Sequence, residues 1–126
     1  MPHLHLEYSA NVQPFEVKET LTALNTALIA TGQVKQPYDV KSRARCVDEF
    51  VVGEGNNNGA FIYLHVALMS GRSESVKREI AEGLMLVLQR YAPMQAPEIA
   101  LQLAVEVRDM DSSNYQKLVV AAPQTN

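Results

Sequence analysis

Two kinds of residue in this chain can move a proton or hold an anion without a metal: a proline at position 2 and a set of cations further on. Pro2 opens a stretch in which Leu4, Leu6 and Tyr8 alternate with His3, His5 and Glu7, the period-two pattern of a half-buried strand. A strand that starts this early is unusual, because chain ends fray. If Met1 is trimmed, Pro2 becomes a secondary amine at the end of a rigid strand, and proline is small enough for methionine removal. An α-amino group has a pKa of about 8, and the substituted amine of proline lies somewhat higher. Burial or a nearby guanidinium lowers that value toward neutrality, where proton abstraction beside a carbonyl needs its base. With Met1 attached the same nitrogen is an amide and is no base. On Pro2 alone a plainer reading stays open: the residue simply starts a strand, where a missing N–H does little harm.

The cations fall into two groups. Lys41, Arg43 and Arg45 alternate with Ser42, Ala44 and Cys46, so three positive side chains share one strand face. Arginine forks bind carboxylates in two-pronged fashion; the alternative is a solvated strand face. Gly71-Arg72-Ser73 precedes an amphipathic helix, where a guanidinium beside free N–H groups makes a good anion site. The alternative there is an ordinary cap, with Arg72 exposed. His3, His5 and His65 do not have metal-ligand spacing, since no acidic or thiol ligand accompanies them usefully. There is no Gly-rich phosphate loop and no Gly-x-Ser-x-Gly elbow. Neither a metal nor an organic cofactor is implied.

Composition narrows the class. The 126 residues are 47% hydrophobic and 20% charged, enough for one domain with its own core. A net charge of −3, with no basic stripe among aromatic platforms, gives no case for nucleic acid. Cys46 is the single cysteine, which excludes an internal disulfide and suits a reducing compartment; its strand position predicts a buried, inert thiol. The first residues lack a signal-peptide pattern, and no apolar run is long enough to span a membrane. The expectation is a cytoplasmic protein that binds neither membrane nor nucleic acid.

Several elements must position those groups. Val17, Leu21, Leu24 and Leu28 recur at helical spacing, with Pro14 in a first turn and Gly32 as the C-terminal cap, which predicts a helix over residues 14–31. A strand follows over residues 40–52. Gly53-Glu54-Gly55-Asn56-Asn57-Asn58-Gly59 is the strongest turn signal in the chain and predicts a hairpin. The next strand runs over residues 60–69, with Ile62, Leu64, Val66 and Leu68 on one face and Phe61, Tyr63, His65 and Met69 on the other. Ser73 and Glu74 suit a helix start, and Val76, Ile80, Leu84, Val87, Leu88 and Tyr91 trace that helix. Ile99, Leu101, Leu103, Val105 and Val107 mark a last strand. Tyr115, Leu118, Val119 and Val120 leave an apolar tail that needs a surface to pack on, a neighbouring subunit being one.

The order is strand, helix, strand, given twice, in units spanning residues 1–59 and 60–126. This is an α+β domain: two tandem β-α-β units forming a four-stranded mixed sheet, with right-handed crossovers placing two helices on one face. An apolar open face would then drive self-association.

Met1-Pro2-His3, Ala30-Thr31-Gly32, Val40-Lys41-Ser42-Arg43, Val47-Asp48 and Gly71-Arg72-Ser73 resemble the tautomerase superfamily, and within it the 5-carboxymethyl-2-hydroxymuconate isomerases. The resemblance is carried by the first three-fifths of the chain and continues only as pattern beyond it. It implies a cofactor-independent homotrimer whose sheets pack their open faces together. It implies catalysis of a 1,3-proton shift in an unsaturated 2-hydroxy or 2-oxo acid, with a small anionic substrate. Pro2 matches the family's base and Arg72 one of its arginines. Lys41 stands where the family has another arginine, keeping the charge but losing the planar fork. Arg43 matches the second basic position and, with Ser73, is expected to contribute to substrate binding; Arg45 has no counterpart. The expected substrate is 5-carboxymethyl-2-hydroxymuconate, from the bacterial breakdown of homoprotocatechuate. A tautomerase for a different 2-oxo acid and a non-catalytic trimer that binds a small anion are the alternatives.

Overall fold

In the computed structural model, which describes residues 1–55, 58–93 and 97–121, the alternating apolar residues of four strands meet two amphipathic helices. The elements run β1 (His3–Ser9), α1 (Val17–Ala30), β2 (Lys41–Val47), β3 (Gly59–Met69), α2 (Glu74–Tyr91) and β4 (Ala100–Met110). One sheet forms in the order β2-β1-β3-β4. β1 is parallel to β2 and antiparallel to β3, and β3 is parallel to β4. Leu4 and Leu6 of β1, with Ile62, Leu64, Val66 and Leu68 of β3, point to one side. There they pack with Leu24 and Leu28 of α1 and Ile80, Leu84 and Leu88 of α2 in a single core, which places both helices on the same sheet face. At about 1.5–3 kcal/mol for each buried aliphatic side chain, this burial is the main term holding β1 in the middle of the sheet.

The turn-rich stretch before Gly59 does not close a hairpin. β1 lies between β2 and β3, so the strands flanking that stretch are antiparallel in direction but are not neighbours. The parallel crossover through α1 puts β2 on one side of β1, and β3 takes the other. Asn56 and Asn57 of the turn signal lie outside the described residues. Gly59 is needed for a different reason: a β-carbon there would collide with the Val52 side chain.

Other boundaries shift for local reasons. α1 starts at Val17, leaving Pro14 in the preceding loop behind a cis Gln13–Pro14 bond. Its C-terminus ends as expected, with Gly32 at φ +80. β2 stops at Val47, five residues short of the predicted strand. Ala44 of β2 packs against the core, but Cys46 is exposed: on this edge strand the helix cover ends before Cys46 is reached, so the thiol is not buried as expected.

The uncovered sheet face is also less apolar than expected. Register places His3 beside Lys41 and Ala67, His5 beside Arg43 and His65, and Glu7 beside Arg45 and Tyr63. Beyond β3, the same face carries Gln102, Glu106 and Arg108. β3, with Ala104 of β4 beside Tyr63, supplies the apolar groups at its centre, and charged residues of β2 and β4 flank them.

Candidate active site

The chain start sits where β1 and β2 begin and β3 and β4 end. Pro2 is buried, and its carbonyl accepts the Lys41 amide at 3.1 Å, continuing the β1–β2 pairing past the last paired residue. Since Met1 precedes it, the Pro2 nitrogen is part of a peptide bond here. The Met1 ammonium is pushed below the ordinary α-amine value, chiefly by burial; Asp39 opposes this, while Lys117, Lys41 and Arg72 add to it. Those four charges mark what surrounds the Pro2 end.

Each cation is held differently. Lys41 donates its ammonium to the Asp39 carbonyl at 2.9 Å. Lys117 donates to Asp39 Oδ1 at 2.8 Å and to Met1 Sδ at 2.9 Å, and lies over the Tyr38 ring at 5.9 Å from its centre. The Asp39 carboxylate is only 7% exposed. The hydrogen bond from Lys117 leads the terms holding its pKa below the usual carboxylate range, and that same bond raises the Lys117 ammonium.

Arg72 turns inward. Its Nε donates to Gln33 Oε1 at 3.0 Å, and its two terminal nitrogens donate to the Met69 and Gln33 carbonyls at 3.0 and 2.8 Å. Those bonds tie the loop after β3 to the loop after α1. Ser73 caps α2, its hydroxyl accepting from the Val76 amide at 3.2 Å. The Gly-Arg-Ser motif therefore builds a helix start and a clasp between the two units in this chain. It reaches the Pro2 end through the charge of Arg72.

Arg43 forks across the open face, donating to His5 Nε2 at 2.9 Å and His3 Nδ1 at 3.1 Å. Accepting there requires His3 to carry its hydrogen on Nε2, from which it is donated to the Tyr115 hydroxyl at 3.0 Å. Burial first, then the Arg43 charge, pushes both imidazoles below their ordinary value. Arg45 lies further along, opposite Glu7, and lines a separate concavity with His5 and Arg43.

An open cavity of about 470 Å³ lies over this end, lined among others by His3, Tyr38, Lys41, Tyr115, Lys117 and Leu118. A larger concavity of about 750 Å³ between the helices is lined by no residue of β1, β2 or the Arg72 loop, and it lacks the chemistry. Among the described residues, no three His, Cys, Asp or Glu gather as metal ligands. The sequence alone did not point to Tyr38, Asp39, Gln33 or Lys117. The lone cation in an otherwise apolar tail was the available signal for Lys117.

A β-α-β-β-α-β sheet, with a proline opening a central strand and cations gathered about it, defines a tautomerase-type domain. The family model described as 5-carboxymethyl-2-hydroxymuconate isomerase matches residues 2–121, and the chain belongs to that family of isomerases. It is 25% identical over 109 residues to the 5-carboxymethyl-2-hydroxymuconate Delta-isomerase of Escherichia coli, covering 84% of this chain and 86% of that one. A crystal structure of a 5-carboxymethyl-2-hydroxymuconate isomerase from Deinococcus radiodurans R1 superimposes with a TM-score of 0.85 at 28% identity, over 93% of this chain and 88% of that one. A fused 4-OT symmetric trimer matches at TM-score 0.70 and 18% identity, over 90% and 89% of the two chains; at that identity the likeness is one of fold.

Proposed function

We propose that this isomerase catalyses a 1,3-proton shift in an unsaturated 2-hydroxy or 2-oxo polycarboxylic acid, with 5-carboxymethyl-2-hydroxymuconate as its substrate and Pro2, freed of Met1, as its base. The observation that carries this reading is a buried Pro2 at the start of a central strand, next to a Met1 ammonium that burial first, and then Lys117, Lys41 and Arg72, push below its ordinary value against the opposing charge of Asp39. Those cations disfavour a protonated amine and favour an anionic ligand. The amine takes a proton from one position of the substrate. The electron pair left behind shifts the double bond, and the ammonium returns the proton at another position, so composition is unchanged and no cofactor is called for. Arg72 and Lys41, with Arg43 and Ser73 supporting, oppose the negative charge of the dienolate and of the carboxylates.

A homotrimer in the cytoplasm, serving bacterial breakdown of homoprotocatechuate, fits this reading. Three copies would cover the open sheet face, where polar and cationic groups of β1 and β2 adjoin the Tyr63 and Phe61 side of β3. Lys41 in place of a guanidinium favours one second reading, a tautomerase for another 2-oxo acid; phenylenolpyruvate assayed against muconate-type substrates separates the two. The central test combines N-terminal mass spectrometry with Pro2→Ala. Loss of a general base costs about 10²–10⁴-fold, so kcat/KM should fall that far in chains that retain Met1 relative to processed chains, and less in a folded Pro2→Ala protein, whose trimmed end still carries a primary amine. Unchanged turnover would overturn the role.

A further inference from the structure

Lys117 belongs to the segment after β4, which folds back over the chain start. An ammonium has three N–H donors. One is held by the buried Asp39 carboxylate and another meets the Met1 sulfur. The two acceptors are unequal. Asp39 is fixed in the chain, its own amide bonded to the Gln36 carbonyl at 2.9 Å. Thioether sulfur is a weak acceptor, and it leaves with Met1. Removing the first residue therefore strips one partner from an ammonium that the other keeps in position. The ammonium is then left with two N–H groups that Asp39 does not hold, on the cavity it shares with His3, Lys41 and Tyr115.

We propose that Lys117 binds a carboxylate of the substrate in the processed enzyme, giving it the N–H that the Met1 sulfur holds in the unprocessed chain. The inference deepens the reading of Pro2 as base and rests on it for the identity of the substrate. It also accounts for how this site holds a polycarboxylate although Arg72 spends its guanidinium on Gln33 and Met69. Beside the charge of Arg72, the anion is met by two ammonium groups, Lys41 of β2 and Lys117 of the segment after β4. Because an ammonium is a point charge and not a fork, the pair should favour substrates whose carboxylates lie apart over those needing two-pronged binding.

The test uses processed full-length protein and two readouts. A hydrogen bond to a charged group contributes about 1.5–3 kcal/mol, so Lys117→Gln should raise KM for a muconate-type polycarboxylate by about 10–100-fold, with kcat, read on the alkaline plateau where the base is unprotonated, little changed. It should have much less effect on phenylenolpyruvate, which has one carboxylate, and Lys117→Arg should restore most of the loss. Glutarate, titrated by NMR, reads binding without turnover. Its Kd should rise at least tenfold in Lys117→Gln (about the loss of one such bond) and by a smaller, measurable factor in wild-type chains that retain Met1, where a weak acceptor competes for one N–H. Equal glutarate binding by processed wild type and a folded Lys117→Gln protein overturns the proposal. Should that variant not fold, equal binding by the Met1-retaining and processed wild-type forms overturns it instead. If glutarate binding depends on Lys117 while Pro2→Ala turns over normally, the carboxylate site stands and the reading of Pro2 falls.

Discussion

On the open face of the first β-α-β unit, His3, His5, Lys41, Arg43 and Arg45 share the strands with one carboxylate, Glu7. On the second unit's half of that face, Glu106 accepts from both Arg108 and Tyr63. Those bonds, Arg108 first, hold its pKa at about 2. The helices differ too: Ser73 caps α2 with its side chain, while Glu16 gives α1 no such bond. The topology is repeated, but among the described residues of the open face the excess of positive charge gathers on the first unit. The second unit balances its own charges and lends the first a guanidinium. The comparison separates frame from chemistry within one repeated architecture.

The comparison can be broken most sharply by acidity. A base works only when unprotonated, and the cations and burial at the Pro2 end lower an amine there. In processed enzyme, kcat/KM should therefore fall about tenfold per pH unit below an inflection set under the ordinary value of a proline amine, which lies somewhat above the value of about 8 of other α-amines, and should plateau above it. A pH–rate profile with its inflection above the ordinary proline value would detach the cations from the base.

Arg72→Ala tests whether the second unit braces the first. Losing three charge-assisted bonds to Gln33 and Met69 should destabilise the fold by about 2–3 kcal/mol. The denaturant midpoint should fall with an unchanged slope. Arg72→Lys should recover less than half, since one ammonium cannot span the acceptors of a guanidinium. The smallest effect is expected for Glu106→Gln. Glu106 is depressed in the folded state from about 4.5 to about 2, so its contribution is complete above the unfolded value and is lost as pH falls between the two. Because the pair is exposed, thermal melts of variant and wild type should differ slightly at pH 6 and converge near pH 2, with turnover unaffected.

What the sequence disclosed follows from periodicity. Alternation grouped Lys41, Arg43 and Arg45 on one face of their strand and Leu4 and Leu6 on one face of theirs, and the structure keeps both groupings. Helical spacing gave α1 and α2 to within a few residues at either end. Strand pairing was not legible in the same way: the Gly- and Asn-rich stretch announces a reversal of direction but not which strand lies between its flanks. Contacts between distant positions were equally silent. Asp39 and Lys117 are 78 positions apart and Gln33 and Arg72 are 39, and no local pattern links a donor in a tail to a carboxylate in the connection before β2. The Gly-Arg-Ser motif was visible as a helix start, but the inward turn of its guanidinium depends on a glutamine from the other unit.

Acylation of a single nitrogen thus divides the molecules of any preparation into two populations, one carrying a lone pair and one whose lone pair is delocalised into a peptide group. Under the proposed role of Pro2, specific activity measured on bulk protein is the product of a true rate and the fraction of chains trimmed. Two laboratories using different expression hosts should then report different rates for identical polypeptides, and should agree once each divides by the trimmed fraction.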